Sequence, residues 1–444
     1  MMNDTILTID HPGNPGLEVT GIEENDHDIV VWATHKPKTD IPFCEECGVE
    51  SPHTHANGYV EWQVWDTPAR GKRVKIVLKN RRVRCVEEGE DGKCNRTYTL
   101  TPAEVHPEYQ MTEACYKHIA QKSLHRRFTR ISDDVGPSDT TIGKICREYI
   151  QHLDETVMTA TPRYLGIDEV KPASTDSAYC MLTNVQERTV IEVLRDNKIE
   201  HVAPYVAQMP DKSVTKGVVM DMSRGYKSLA HDHFPDADVI IDKYHILDYV
   251  KESFKTVRKA VAREQGTSTE WKRRRFKYLQ RHDDLPSLDE MPPDDIPFFS
   301  EEVGRLPKLQ RAWWLYQRMF DIFDMDLTRD EARDAILEWK TKITPELEAP
   351  FYEFTGKFDR WGEQILNYFE HGVTNAFTEN RNEIAQTLQR EGRGYSFEVL
   401  RGKVIYGREQ LKKPKFGQDI HYRADPDRLT YGAKMESLAA GLHN

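Results

Sequence analysis

Three acidic residues occupy positions that suit a metal-dependent enzyme. Asp168 ends the apolar run in RYLGIDEV, and Asp221 ends a second apolar run in GVVMD. A carboxylate at the end of a buried strand costs free energy unless a cation meets it there. Glu379 lies further along the chain in TNAFTENRNEIAQTL, which has a helical pattern. Two strands and one helix are therefore predicted to deliver acids to a divalent metal site.

These acids suit two-metal phosphoryl transfer. Carboxylate oxygens are ligands for Mg²⁺ or Mn²⁺, and two ions about 4 Å apart activate the attacking oxygen and stabilise the leaving oxygen. We expect Asp168 to bridge two ions, Asp221 to bind one and Glu379 to bind the other. The nucleophile would be water, which cuts a strand, or a DNA 3′-hydroxyl, which joins one.

The glutamate helix leaves an alternative open. Asn375, Glu379, Asn382 and Glu383 share one helix face by their spacing. Two like charges one turn apart repel in water, and a cation near that face would offset the repulsion. Glu383 is thus an alternative to Glu379, and a solvated acidic face with no ligand is another.

Four cysteines predict a second metal site, a structural zinc centre held by Cys44, Cys47, Cys85 and Cys94. The first pair forms C-x-x-C in a tight turn, and the second pair follows two predicted strands. Paired thiolates that face one another are typical of tetrahedral zinc sites. The second pair is widely spaced, so His53 or His55 stays open as a ligand. The alternatives to a site for one structural Zn²⁺ are a redox-active dithiol or free thiols in the core.

Composition indicates a globular protein of several domains. The chain has 444 residues, of which 38% are hydrophobic and 30% charged, and this length suggests about three domains. Seven cysteines are too sparse for a disulfide framework, and we expect Cys115, Cys146 and Cys180 in the core. No apolar run reaches about 18 residues and no secretory signal opens the chain. We therefore expect a cytoplasmic protein that does not contact a membrane.

The charge distribution favours nucleic acid as a partner, although the net charge of −11 alone argues against it. Basic residues crowd into 70–84, 122–130, 271–281 and 401–415, whereas acids crowd into 282–302. Any one run is usually a solvated face, but four together indicate contacts to DNA phosphates. The candidate DNA contacts are Arg81, Arg82, Arg126, Arg127, Lys144, Arg273 and Arg274.

A helical period begins near Thr112. TEACYKHIAQKSLHRRF is predicted to be one helix, and RISDDVGPSDTTIGKICREYI to be two helices around a Gly-Pro turn, with Ser138 or Asp139 as the cap. This is the pattern of a helix-turn-helix, whose second helix enters the DNA major groove. A helical hairpin that only packs is the alternative.

The central part of the chain predicts an α/β fold. Three strands, the last two forming an antiparallel hairpin, are followed by helix, strand, helix and strand. That order is typical of an RNase H-like fold, a mixed five-stranded sheet with helices on both faces. The first and fourth strands are neighbours in that fold, so Asp168 and Asp221 would lie side by side.

The predicted organisation has a large helical insertion within the catalytic domain. Its tryptophans are expected in the core rather than on a base-stacking surface: Trp313, Trp314, Trp339 and Trp361. The predicted domains are an N-terminal zinc-binding β module (1–105), a helix-turn-helix domain (106–160), an RNase H-like catalytic domain (161–250 and 371–415), the helical insertion (251–370) and a C-terminal tail (416–444).

Several motifs together give the chain a family resemblance. They are CEECG, RRVRC, LGIDE, DMSRGY, FPDADVIIDKYH, TNAFTENRN and GRGYSFEVLRGKVIYG, in this order. From about residue 40 to about residue 410, the chain resembles the DDE transposases of the ISL-three group of insertion sequences. The resemblance implies a triad of Asp168, Asp221 and Glu379. It also implies a D-x-x-H signature, Asp242 and His245, for which a satisfied core pair is the alternative.

The resemblance also implies a function. Asp242, His245 and Asn382 would organise the site or contact DNA. The protein would be a prokaryotic, nucleoid-associated transposase that recognises the terminal inverted repeats of its element, cuts there and joins the ends to target DNA. Double-stranded DNA would be its partner, and a homodimer or larger assembly would pair two ends. A catalytically inactive, element-derived DNA-binding regulator and an RNase H-like nuclease are the alternatives.

Overall fold

The computed structural model describes residues 9–11, 14–35, 43–89, 92–100, 102–171, 178–264, 307–392 and 394–407. The chain divides into two compact units. The first unit comprises residues 1–158 and 394–444, and the second unit comprises residues 159–393.

The described strands are, in chain order, β1 (Ile9–His11), β2 (Asn14–Glu24), β3 (Asp28–His35), β4 (Thr54–Ala69), β5 (Lys72–Cys85), β6 (Glu88–Gly89), β7 (Gly92–Lys93), β8 (Thr97–Thr99), β9 (Tyr164–Val170), β10 (Tyr179–Asn184), β11 (Thr189–Leu194), β12 (Gly217–Met220) and β13 (Asp238–Ile241). The described α-helices are α1 (Glu113–Ser123), α2 (Phe128–Val135), α3 (Asp139–Thr156), α4 (Ile199–Ala207), α5 (Arg224–His233), α6 (Lys243–Glu264), α7 (Pro307–Asp324), α8 (Arg329–Thr341), α9 (Pro345–His371), α10 (Ala376–Gly392) and α11 (Phe397–Tyr406).

A six-stranded sheet forms the β part of the first unit. Its order is β1-β2-β3-β5-β4, with β8 also paired to β5. β2 and β3 form an antiparallel hairpin, and β4 and β5 form a long antiparallel pair. Alternate residues of β5, namely Val74, Ile76 and Leu78, are buried, because successive side chains of a strand point to opposite faces.

The helices of the first unit correct one prediction. The predicted single helix TEACYKHIAQKSLHRRF is wrong, because α1 ends at Ser123 and α2 begins only at Phe128. The buried amine of Lys403, on α11, donates to the carbonyls of Ser123 and Arg126. In a continuous helix the Ser123 carbonyl would instead accept from the amide of Arg127. A contact 280 residues away in sequence thus replaces the helical bond, and no periodicity could reveal it.

The turn between α2 and α3 follows the predicted pattern. Ser138 caps α3, and its side chain accepts from the amide of Thr141. Gly136 has a φ of +115°, and a Cβ there would lie 2.3 Å from the Trp65 ring. A glycine is therefore required at this turn for its backbone conformation and for the close approach of the tryptophan.

A five-stranded mixed sheet forms the centre of the second unit. Its order is β11-β10-β9-β12-β13, in which β9, β10 and β11 are antiparallel and β12 runs parallel to both β9 and β13. Met220 pairs with Ile167 across the first of these parallel contacts. The next residues on the two strands are Asp221 and Asp168, so the predicted neighbouring strands are present.

Helices complete the core of the second unit. α6 packs with α7 and α9, and α9 also packs on β13. The tryptophans that were expected in the core of the insertion are all buried there: Trp313, Trp314, Trp339 and Trp361. Cys180 is also buried in this unit, and Cys115 and Cys146 are buried in the first unit, as expected. Among the described residues, no helix combines the length and the apolar character needed to cross a membrane.

Candidate functional site

Acidic and histidine side chains converge at one end of the five-stranded sheet. Ligand atoms of Asp168, Asp221 and His245 lie within 4.8 Å of one another, and so do those of Asp242, His245 and Glu379. His245 belongs to both sets, so the two sets form one cluster. We call these five residues the acidic site.

Local structure explains how each residue arrives there. Asp168 lies near the end of β9, whereas Asp221 and Asp242 directly follow the neighbouring parallel strands β12 and β13. The carboxyl ends of parallel strands meet at one edge of a sheet. His245 and Glu379 come from the first turns of α6 and α10.

Direct contacts link the members of the acidic site. The Nε2 atom of His245 lies 2.5 Å from Oδ1 of Asp221 and 3.6 Å from Oε1 of Glu379. The side-chain amide of Asn382 donates to Oδ2 of Asp168 at 2.7 Å. The backbone amide of Glu169 donates to the other oxygen of Asp168, also at 2.7 Å. Both oxygens of Asp168 are thus oriented by donors.

Burial and neighbouring charges shift the pKa values of several residues in the acidic site. Burial raises the pKa of Asp168 to about 7, and the neighbouring Asp221 carboxylate adds to that rise. Burial also raises the pKa values of Asp242 and Glu379. For His245, burial works against the charged form, but the contact with Asp221 outweighs it and raises the pKa to about 9. A histidine cation therefore offsets part of the repulsion between the carboxylates.

The acidic site fits a divalent cation of the magnesium type. Its carboxylates supply hard oxygen ligands, and their crowding is the kind of repulsion that a cation relieves. One oxygen of the fully buried Asp242 accepts from the backbone amide of Asn375 at 3.1 Å. Its other oxygen, Oδ2, has no hydrogen-bond donor within the part of the chain that the structure describes. Buried carboxylate oxygens are rarely left in this state unless an ion or water meets them.

The structure distinguishes between Glu379 and Glu383, the two candidate glutamates of the metal site. Glu379 lies beside His245, whereas Glu383 is exposed and belongs to neither acidic set among the described residues. Sequence reasoning missed Gly166 and Thr183, which pack beneath the first turn of α10, and Thr378, which lies within that turn. Only Thr378 had any signal, because it directly precedes Glu379.

The predicted zinc ligands form a second cluster, in the first unit. The Sγ atoms of Cys44, Cys47, Cys85 and Cys94 all lie within 4.8 Å of one another. We call them the thiol cluster. Cys44 and Cys94 are 3.7 Å apart, and Cys47 and Cys85 are 3.8 Å apart. Zn–S bonds of about 2.3 Å in a tetrahedron require sulfur–sulfur distances of about 3.8 Å, so the four thiols fit Zn²⁺.

The two histidines considered as alternative zinc ligands lie outside the thiol cluster. His53 is paired with Glu87 at 2.7 Å, and neither His53 nor His55 belongs to the metal-ligand set among the described residues. The hydroxyl of Tyr98 lies 3.2 Å from Sγ of Cys44 and accepts from the amide of Glu45 at 3.1 Å. Its own hydrogen can therefore be donated to the Cys44 sulfur.

The candidate DNA contacts are only partly described. Arg82, Arg126 and Arg127 are exposed, and Arg81 is half-buried. Arg126 is paired with Asp134 at 2.5 Å. Lys144 is exposed but pairs with Glu148 at 3.6 Å and lies over the Tyr109 ring. Arg273, Arg274 and the acidic run at 282–302 lie outside the described residues.

Comparison with known proteins agrees with the resemblance read from the motifs. The model of the ISL3 family of DDE transposases, described as "Transposase", matches residues 165–404. A curated relative, the transposase for insertion sequence element IS1001 of Bordetella parapertussis, is 22% identical over 373 residues, which cover 81% of this chain and 87% of the relative. Because the family model matches more than half of the 444 residues, this chain belongs to the ISL3 family of DDE transposases.

Proposed function

We propose that this protein binds the terminal inverted repeats of its own insertion sequence, cleaves DNA there and joins the 3′-hydroxyl ends to target DNA. The observation that carries this proposal is the convergence of Asp168, Asp221 and Glu379 around His245. The three acids come from distant parts of the sequence, and a bound cation would offset the repulsion between their negative charges. Family membership supports the same chemistry.

The catalytic part would be an RNase H-like domain that holds two Mg²⁺ or Mn²⁺ ions. The strand order of the second unit, with three antiparallel strands and two parallel ones, supports that fold. When bound, the two ions would activate the attacking oxygen and stabilise the leaving oxygen of an in-line displacement. Asp168, the most buried of the three acids, would bridge the ions, with Asp221 on one and Glu379 on the other.

The remaining polar residues of the site would position these ligands. Asn382 holds one oxygen of Asp168 by its donated hydrogen bond and thereby fixes the orientation of the carboxylate. His245 lies between Asp221 and Glu379, where its positive charge would lower their mutual repulsion before the ions bind. Asp242 accepts from the backbone of Asn375 at the start of α10 and would keep the glutamate helix against the sheet.

The first unit would supply DNA recognition. Its thiol cluster would bind one structural Zn²⁺, and α2 and α3 would act as a helix-turn-helix with α3 in the major groove. The exposed arginines Arg82, Arg126 and Arg127 would contact phosphates. A homodimer or larger assembly, associated with the nucleoid, would bring two element ends together. The predicted domain boundaries remain part of this proposal.

One assay tests the catalytic proposal. The protein is incubated with labelled ends of its element, Mg²⁺ and a target plasmid, and Asp221→Ala is compared with wild type. Asp232→Ala, which removes an exposed carboxylate of α5, serves as the matched control. We expect strand transfer by wild type and by the control, and none by Asp221→Ala. Binding without cleavage by wild type would instead indicate a regulator, and cleavage without joining would indicate a nuclease.

A salt titration tests the DNA contacts. Each phosphate contact releases counterions, so affinity should fall steeply as salt rises. Removing one contact with Arg82→Ala should reduce the slope of log affinity against log salt by about 1 and weaken all sequences about equally. A flat salt response for wild type would contradict phosphate binding by the basic runs.

A further inference from the structure

A buried polar cluster lies between β9, β10 and the start of α10. It consists of Thr183, Asn375 and Thr378, each with 0% exposure, together with Gly166. The hydroxyl oxygens of Thr183 and Thr378 are 2.7 Å apart, and the Thr378 hydroxyl donates to Oδ1 of Asn375. Because Thr378 has only one hydroxyl hydrogen, Thr183 must be the donor to Thr378. We call these four residues the α10 dock.

Gly166 provides the space for this cluster. A Cβ at Gly166 would lie 2.3 Å from Oγ1 of Thr183 and 2.8 Å from both Oδ1 of Asn375 and Oγ1 of Thr378. Gly166 pairs with Thr183 across the antiparallel strands. It also precedes Asp168 by two residues, so both lie on the same face of the sheet. The face that carries Asp168 therefore has a space beside it, at Gly166, that side chains from the start of α10 occupy.

The backbone of Asn375 is fixed from two further directions. Its amide donates to Oδ1 of Asp242 at 3.1 Å, and its carbonyl accepts from the amide of Glu379 at 3.0 Å. Its side-chain amide approaches the carbonyl of Ile167 at 3.5 Å. The start of α10 is thus held at the carboxyl ends of β9 and β13, the strands on either side of β12.

We propose that Thr183, Asn375 and Thr378 are positioning residues that set the location of the Glu379 carboxylate relative to Asp168 and Asp221, and thereby the affinity of the site for divalent cations. This inference rests on the proposed function, because it assumes that Glu379 is a metal ligand. Glu379 directly follows Thr378, so a shift or rotation of the first helical turn moves its carboxylate.

The polar character of the dock favours this role over simple packing. Apolar side chains of similar volume would bury the same surface and tolerate small rotations of the helix. Hydrogen bonds are directional, and a fully satisfied buried network specifies one arrangement. Ligand groups need support of this kind, because small errors of position weaken a site strongly.

Binding of Mn²⁺ to the full chain, measured by isothermal titration calorimetry, tests the proposal. Thr183→Val and Thr378→Val remove one hydroxyl each at nearly constant volume. We expect each to weaken Mn²⁺ binding about tenfold, the effect typical of residues that support metal ligands. Thr183→Ser keeps the hydroxyl and should restore binding towards the wild-type value.

A matched control separates positioning from general stability. Thr215 is a buried threonine of the same unit, and its hydroxyl donates to the carbonyl of Pro162 at 2.9 Å. Thr215→Val should lower the thermal midpoint as the dock variants do, but leave Mn²⁺ affinity unchanged. The proposal is overturned if Thr183→Val and Thr378→Val bind Mn²⁺ as tightly as wild type.

The binding measurement also keeps this inference distinct from the proposed function. Wild type that binds Mn²⁺ but shows no DNA cleavage or joining would contradict the catalytic proposal and leave the dock test intact. Wild type that transfers strands, with dock variants that show unaltered Mn²⁺ binding and an unaltered Mg²⁺ requirement for cleavage, would overturn the dock alone.

Discussion

The thiol cluster and the acidic site both gather ligand atoms from distant parts of the chain, yet their surroundings differ. Cys44 and Cys85 are fully buried, Cys94 is nearly so and Cys47 is half-buried. In the acidic site the side chains of Asp221 and Glu379 are 40% and 39% exposed. The thiol cluster is therefore mostly enclosed, whereas two carboxylates of the acidic site reach solvent.

The difference fits the two proposed uses of metal. A closed tetrahedral site leaves no position for a substrate, so its ion contributes folding energy. An open site of hard oxygens leaves positions that phosphate oxygens can complete. Removing a ligand should therefore harm the fold in the first unit and harm the chemistry in the second.

The largest effect should come from the thiol cluster. We expect about one equivalent of zinc per chain and its loss in Cys44→Ala, with unfolding of the surrounding strands, because structural zinc contributes about 10–16 kcal/mol in small zinc-binding domains. Elemental analysis and thermal unfolding measure both. Cys180→Ala, which removes a buried thiol from the second unit, should keep its zinc. If wild type contains no zinc, the thiol cluster is not a zinc site.

Removing the Asp168 carboxylate of the acidic site should stabilise the metal-free fold, which is the opposite of the effect expected for Cys44→Ala. Because the pKa of Asp168 is raised from 3.8 to about 7 in the folded chain, its ionisation opposes folding. The cost is absent below about pH 4, grows as pH rises and is complete above about pH 7. In the presence of EDTA, Asp168→Asn should therefore be more stable than wild type at pH 8, by roughly 1–4 kcal/mol.

Denaturant unfolding at a series of pH values measures this difference. The advantage of Asp168→Asn should shrink towards pH 4, and saturating Mn²⁺ should reverse it by stabilising wild type alone. Asp232→Asn, at an exposed carboxylate of α5, should show no such pH dependence. If Asp168→Asn is less stable than wild type at every pH, ionisation of Asp168 does not oppose folding as inferred here.

A smaller effect is expected from the hydroxyl beside the thiol cluster. Tyr98→Phe removes the hydrogen bond to Cys44 and should weaken zinc binding about 10-fold to 100-fold, without loss of the fold. Competition with a chromophoric chelator measures the affinity. Tyr59→Phe, at a 62% exposed tyrosine of the same sheet, is the control. Equal zinc affinity in both variants would show that the Tyr98 hydroxyl has no such role.

The features that local sequence patterns encode were predictable from the sequence. Asp168 and Asp221 each end an apolar run, and the strand order follows from the alternation of strands and helices, so their neighbouring positions were predictable. The C-x-x-C of Cys44 and Cys47 is likewise local. The widely spaced Cys94 was less certain, and only the sulfur–sulfur distances distinguish it from His53 and His55.

Long-range contacts explain what the sequence did not reveal. The break between α1 and α2 depends on Lys403, which lies in a helix at the other end of the described chain. Thr183 contacts Thr378 across 195 residues, and neither belongs to a motif that predicts the pair. The choice between Glu379 and Glu383 depended on which helix face packs towards the sheet, and helical spacing alone could not decide it.

We propose that carboxylates of the acidic site bind the metal ions that the protein needs to cut and join DNA. Strand transfer by Asp221→Cys, measured in Mg²⁺ and in Mn²⁺, tests it most directly, because the softer Mn²⁺ accepts a thiolate ligand better than Mg²⁺ does. We predict a loss of about a hundredfold or more in Mg²⁺ and substantial recovery in Mn²⁺, with wild type active in both. Activity of Asp221→Cys in Mg²⁺ equal to that of wild type would show that the Asp221 carboxylate does not bind a catalytic ion.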